Sequence, residues 1–78
     1  MEEILEQNVG ETVIARVHVG NGETCADIES VCGDLQKFKN RYLVRDGGRW
    51  VMFPLSSVTW VSPEGYFIHI QQPFQCSL

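Results

Sequence analysis

A small, strongly bent antiparallel β-barrel of five to six strands, opened by a short N-terminal helix, is the fold that this sequence predicts. Three observations carry the prediction. From Glu11 onward the apolar residues recur at every second position, the period of a strand with one buried face. Turn signals punctuate that pattern at hairpin spacing: Gly20-Asn21-Gly22, Asp46-Gly47-Gly48 and Ser62-Pro63-Glu64-Gly65. Finally, 78 residues suffice for one domain and not for two. In so short a chain an open sheet leaves its edges exposed and one face uncovered, which favours closure.

The elements follow in order. Met1–Gln7 reads as a short helix, with Met1, Ile4 and Leu5 on one face and Glu2, Glu3 and Glu6 where a helix N-terminus favours negative charge. Two turns are marginal alone in water, so this helix is expected to dock as a lid rather than as part of the core. Asn8-Val9-Gly10 stops it. In Thr12–Val19, Val13, Ala15, Val17 and Val19 share one face, and Thr12, Ile14, Arg16 and His18 the other. A second strand is expected from Thr24 to Val31, with Ala26 and Ile28 inward and Cys25, Asp27 and Glu29 outward. Residues 32–40 show no clear period and read as a loop with at most one helical turn. Arg41–Arg45 and Arg49–Phe53 form a hairpin about Asp46-Gly47-Gly48, and Pro54 ends it. Leu55-Ser56-Ser57 reads as a tight or 3₁₀ turn and Val58–Val61 as a fifth strand. Tyr66–Ile70 is the last strand, with Tyr66, Ile68 and Ile70 on one side and Phe67 and His69 on the other. The tail is expected to be extended. The layout is thus a helix over 1–8, a barrel over 11–71 and a tail over 72–78. An OB-fold places a helix between its third and fourth strands, where this chain has a tight turn, so an SH3-like barrel is expected.

Charge is unevenly spread. The chain carries a net charge of −4, yet residues 1–34 set Glu2, Glu3, Glu6, Glu11, Glu23, Asp27, Glu29 and Asp34 against Arg16 alone. Residues 35–49 reverse the balance, with Lys37, Lys39, Arg41, Arg45 and Arg49 against Asp46. An acidic chain is repelled by phosphate backbones at long range, whereas a local basic patch can still seat a few phosphates. The three cysteines, Cys25, Cys32 and Cys76, are an odd number without a dense framework, and two of them on one strand would stand roughly 23 Å apart. Free thiols in a reducing cytoplasm are expected. His18 and His69 are isolated and no C-x-x-C spacing occurs, so neither metal nor cofactor is expected. No apolar run is long enough for a membrane span, and no basic segment followed by an apolar one opens the chain. Ser56 and Ser57 lack a nucleophile-elbow context, His69 has no partner in a catalytic group, and the glycines sit in hairpin turns rather than phosphate cradles. A non-enzymatic protein is therefore expected.

With the strands placed, Tyr42-Leu43-Val44-Arg45-Asp46-Gly47, Val51, Leu55-x-x-Val58-Thr59 and Ser62-Pro63 resemble the second half of Sm-like proteins, including bacterial Hfq. The departures matter as much. Hfq-type proteins carry a Lys-His pair after the fourth strand that holds RNA, and this chain has Phe53-Pro54 there. The Asp and Asn of the first Sm motif are also missing before Tyr42. A closer resemblance is to the Rof-type group, small acidic Sm-like proteins that inhibit the termination factor Rho. It rests on Tyr42-Leu43-Val44, Gly48, Leu55-x-x-Val58-Thr59 and Pro63-Glu64 before Tyr66–Ile70, with offsets of one residue at the Gly turn and before Pro63.

That resemblance implies an antitermination regulator of transcription that binds Rho or another nucleic-acid-handling protein. The acidic surface for this role is Glu2, Glu3, Glu6, Glu11, Asp27 and Glu29, with the first four imitating phosphates. The alternative is an RNA-binding barrel using Lys37, Lys39, Arg41, Arg45, Arg49 and Trp50. A third reading is an oligomerising interaction protein of a mobile element. Sm-like barrels form rings through their fourth and fifth strands; Pro54 interrupts that edge, and a dimer burying Trp60 or Phe67 is an equal expectation.

Overall fold

The computed structural model describes residues 1–18 and 28–77. Among them are one helix, α1 (Glu2–Gln7), and seven strands: β1 (Thr12–His18), β2 (Ile28–Phe38), β3 (Arg41–Asp46), β4 (Arg49–Pro54), β5 (Val58–Val61), β6 (Phe67–Ile70) and β7 (Gln75–Ser77). A 3₁₀ turn at Leu55–Ser57 joins β4 to β5, as the sequence predicts. The expected turn at Gly20-Asn21-Gly22 and the residues from Val19 to Asp27 lie outside the described residues.

The strands lie in the order β5-β6-β1-β2-β3-β4-β7. This corrects the expected barrel of five to six antiparallel strands. Among the described residues the outer strands β5 and β7 are not paired, so the sheet stays open. One pairing is parallel, that of β6 with β1, in register Ile14↔Phe67 to Val17↔Ile70. The reason is the turn at Ser62–Gly65, which reverses the chain after β5 and inserts β6 between β5 and β1. The tail is extended, as expected, and it adds a seventh strand, because β7 takes the outer edge of β4 at Trp50, Val51 and Met52.

Residues 32–38 are strand and not loop. β2 runs unbroken through them and changes partner on the way: Ile28 to Asp34 pair with β1, and Leu35 to Phe38 pair with β3. The inward row of this stretch is Val31, Gly33 and Leu35, a period of two whose middle member has no side chain. Glycine is required there, since a Cβ on Gly33 would lie 2.1 Å from the backbone oxygen of Arg45. Lys39 and Asn40 then make a two-residue turn, with Lys39 at φ 58°.

One face of the bent sheet buries Val13, Ala15 and Val17 of β1, Tyr42 and Val44 of β3, Val51 and Phe53 of β4, and Ile68 and Ile70 of β6. Leu5 of α1 is fully buried with them, so the helix is more than a lid. Phe74 and Cys76 of the tail pack against the same cluster. The Cα radius of gyration is 11.4 Å, that of a globular domain of this length, so the open sheet curls around its own core.

Candidate functional site

The geometry at α1 decides how the acidic residues are presented. Leu5 anchors the helix in the core, and its neighbour Glu6 is thereby held over the rim of the sheet. Lys37 lies on the inward row of β2 after Leu35, and its Nζ forms an ion pair with Glu6 Oε1. Tyr42, opposite Lys37 in the β2–β3 ladder, donates its hydroxyl to the same oxygen at 3.2 Å. The Lys37 hydrogen bond holds the Glu6 carboxyl below its ordinary range, and the Glu6 hydrogen bond raises the Lys37 ammonium. Burial is the main cause that raises the Tyr42 phenol, with the bond to Glu6 next.

The other end of the inward face carries a second pair. Glu29, opposite Val17, and Arg49, two residues before buried Val51, share that side. Arg49 Nη2 lies 3.4 Å from Glu29 Oε2 and donates to the carbonyl of Ser30 at 2.7 Å. Both acidic partners come from the acidic set of the sequence, and both basic partners from the basic set. The two expected surfaces are therefore stitched together at two points.

What remains of each set separates cleanly. Glu2 and Glu3 stand exposed on α1, and Glu11 is exposed at the entry to β1. Beside Glu11, whose carbonyl accepts from the amide of Leu35 at 2.9 Å, Thr12 donates to Asp34 Oδ1 at 3.1 Å. The turn at Gly65 closes against α1: a Cβ there would lie 2.1 Å from Asn8 Nδ2, and Gly65 has φ +80°. That contact brings exposed Glu64 to the same end. Asp34 and Glu64 were absent from the expected acidic set, and only the β1–β2 pairing and the Gly65 contact reveal them. Glu29 lies about 20 Å along the ladder from Glu11, too far to act with it. Asp27 lies outside the described residues.

The basic set divides by strand parity. Lys37 and Arg49 point inward to their carboxylates, whereas Arg41 and Arg45 alternate outward with Leu43 on β3. Arg45 is opposite Trp50, which is half-buried on the outward face of β4. Exposed Phe38 is opposite Arg41, and Lys39 Nζ lies 5.7 Å from the Phe38 ring centre. The structure thus brings Lys39, Arg41, Arg45 and Trp50 to one face and adds Phe38, which the sequence reading placed in a loop.

Among the described residues no three His, Cys, Asp or Glu side chains come together as a metal site, and no helix is long and apolar enough to cross a membrane. Comparison with known proteins finds no matching family, no matching curated protein and no matching solved structure.

Proposed function

We propose that this chain is a non-enzymatic binding module, a cytoplasmic regulator that docks its acidic α1 end on a basic surface of a nucleic-acid-handling protein. The observation that carries the reading is the grouping of Glu2, Glu3, Glu11, Asp34 and Glu64 around a helix fastened by Leu5. Carboxylates spread over a rigid support offer a basic groove the charge pattern of a phosphate chain, and rim charges of this kind speed association with basic partners. Glu6 serves the reading differently from its neighbours. It is engaged by Lys37 and Tyr42, so it holds the surface in place while Glu2, Glu3 and Glu11 meet the partner. The resemblance to Sm-like and Rof-type proteins belongs to the same proposal and points to a Rho-like partner; β6 and β7 would then be additions to an SH3-like strand order.

The test is binding to purified Rho after nuclease treatment, over a salt series, with a Glu2→Gln, Glu3→Gln, Glu11→Gln variant that leaves the Glu6–Lys37 pair intact. Loss of about tenfold in affinity is expected, with a shallower salt dependence. Unchanged binding by the triple variant would remove the phosphate-mimic idea.

A second reading has its own observation. Lys39, Arg41, Arg45, Trp50 and Phe38 share the outward face of β2–β3–β4, an arrangement that suits a phosphate backbone with stacked bases. RNA binding that is lost in Arg41→Gln, Arg45→Gln and indifferent to the glutamate changes would favour it.

A further inference from the structure

The outward face of the other half of the sheet holds a groove that neither reading uses. β6 lies between β1 and β5, and the register sets Arg16 beside His69, Ile14 beside Phe67, and Trp60 opposite His69. Arg16, Trp60, Phe67 and His69 line a shallow depression of about 410 Å³. Trp60 is 48% exposed, and its indole meets the His69 ring edge-to-face at 5.0 Å between centres. Phe67 is braced in the same manner by Tyr66 at 4.9 Å. Both rings are thus braced by neighbours, and both line the depression. Among the described residues no carboxylate lines the depression, although the whole chain is acidic.

We infer that this groove binds a nucleotide unit, with its base stacked on Trp60 and Phe67 and its phosphate held by Arg16. Charge complementarity and ring geometry point the same way. An acidic peptide would satisfy the guanidinium but leave the indole in water, and an apolar peptide would leave the guanidinium unpaired. A nucleotide brings both an anion and a flat π-surface, and aromatic stacking tolerates any base. His69 adds a site that responds to the ligand: burial, then Arg16 and His18, push its imidazole down, and a phosphate beside it would draw the proton back. The same chemistry is offered by a free nucleotide and by a single strand of nucleic acid.

The experiment is an NMR titration of the isotope-labelled full chain at low salt with uridine monophosphate, with an oligouridylate octamer and with a hexaglutamate peptide. Resonances of Arg16, the Trp60 indole, Phe67 and His69 are expected to shift with the nucleotide ligands. Trp60→Ala should weaken binding about tenfold or more, the loss expected for one base stack. Arg16→Gln, which leaves the aromatic rings in place, should flatten the salt dependence. Tighter binding of the octamer identifies a strand as the source, and equal binding of the monophosphate a free nucleotide; either supports the proposal. No shift with either nucleotide ligand, shifts confined to the Arg41 and Arg45 face, or binding of the glutamate peptide alone would overturn it.

Discussion

Glu6 of α1 and Lys37 of β2 stand 31 positions apart in sequence and form one ion pair at the rim of the core, with the Tyr42 hydroxyl on the same carboxylate oxygen. The pair joins the acidic segment 1–34 to the basic segment 35–49. It makes the helix part of the sheet's electrostatics as well as of its packing.

A pH profile of stability should register this cluster on both flanks. Glu6 is held below its ordinary value of 4.5, so its contribution is present above that value and is lost as acid protonates it. His69 is depressed from 6.5, mainly by burial, so stability also falls from about that pH downward as the imidazole is forced to charge. On the alkaline side Lys37 is raised above 10.5 and Tyr42 above 10.0, so their contributions are present below those values and lost above them. Denaturant midpoints across pH should therefore form a plateau at neutral pH. Glu6→Gln should remove the lowest acid step and leave the His69 step. A variant profile identical to the parent would show that the pair contributes nothing to folding.

Leu5→Ala tests whether the helix belongs to the core. Leu5 is fully buried, and truncating a buried leucine costs about 2–5 kcal/mol. Met1→Ala, at the exposed N-cap of the same helix, should change stability by less than about 0.5 kcal/mol. Similar small effects for both, by urea unfolding, would make the helix a mere lid.

Two glycines should respond in opposite ways to alanine. Gly33→Ala forces a methyl group to within 2.1 Å of the Arg45 carbonyl oxygen, a backbone atom that moves only with β3. A loss of about 1–3 kcal/mol is expected, or failure to fold. Gly48→Ala meets no atom within 4 Å and should be nearly neutral. Equal midpoints for the two variants would contradict the close approach of β2 to the Arg45 carbonyl at Gly33.

Removing residues 72–78 should make the chain self-associate. β7 occupies the outer edge of β4 at Trp50, Val51 and Met52, while Phe74 and Cys76 cover part of the core. Without them β4 presents unpaired amides and carbonyls beside an apolar surface, a template for another chain. Size-exclusion chromatography with light scattering should show species that grow with concentration. A truncated chain that stays monomeric and folded would show that the tail does not guard this edge.

Much of the fold was legible because it is local. The alternation of Val13, Ala15 and Val17, the hairpin at Asp46-Gly47-Gly48 and the 3₁₀ turn after Pro54 each depend on neighbours in the chain. The stretch 32–38 shows no strand period in the sequence, because Gly33 hides the inward row and because β2 serves two ladders. The candidate residues were less legible than the strands. Their identities as acids and bases are plain in the sequence, but whether Lys37 faces water or Glu6 depends on which side of β2 it occupies and on where α1 docks.

By itself the sequence determined a mainly β fold with a short acidic helix, the hairpin about Asp46-Gly47-Gly48 and the 3₁₀ turn after Pro54, because period, propensity and turn chemistry act over a few residues. Only the tertiary structure decided that β6 lies parallel to β1, that β7 closes the edge of β4, and that Glu6 with Lys37 and Glu29 with Arg49 cross between the charged segments. These are contacts between residues far apart in sequence. Their selection depends on which apolar faces can be buried together, and no local pattern records that choice.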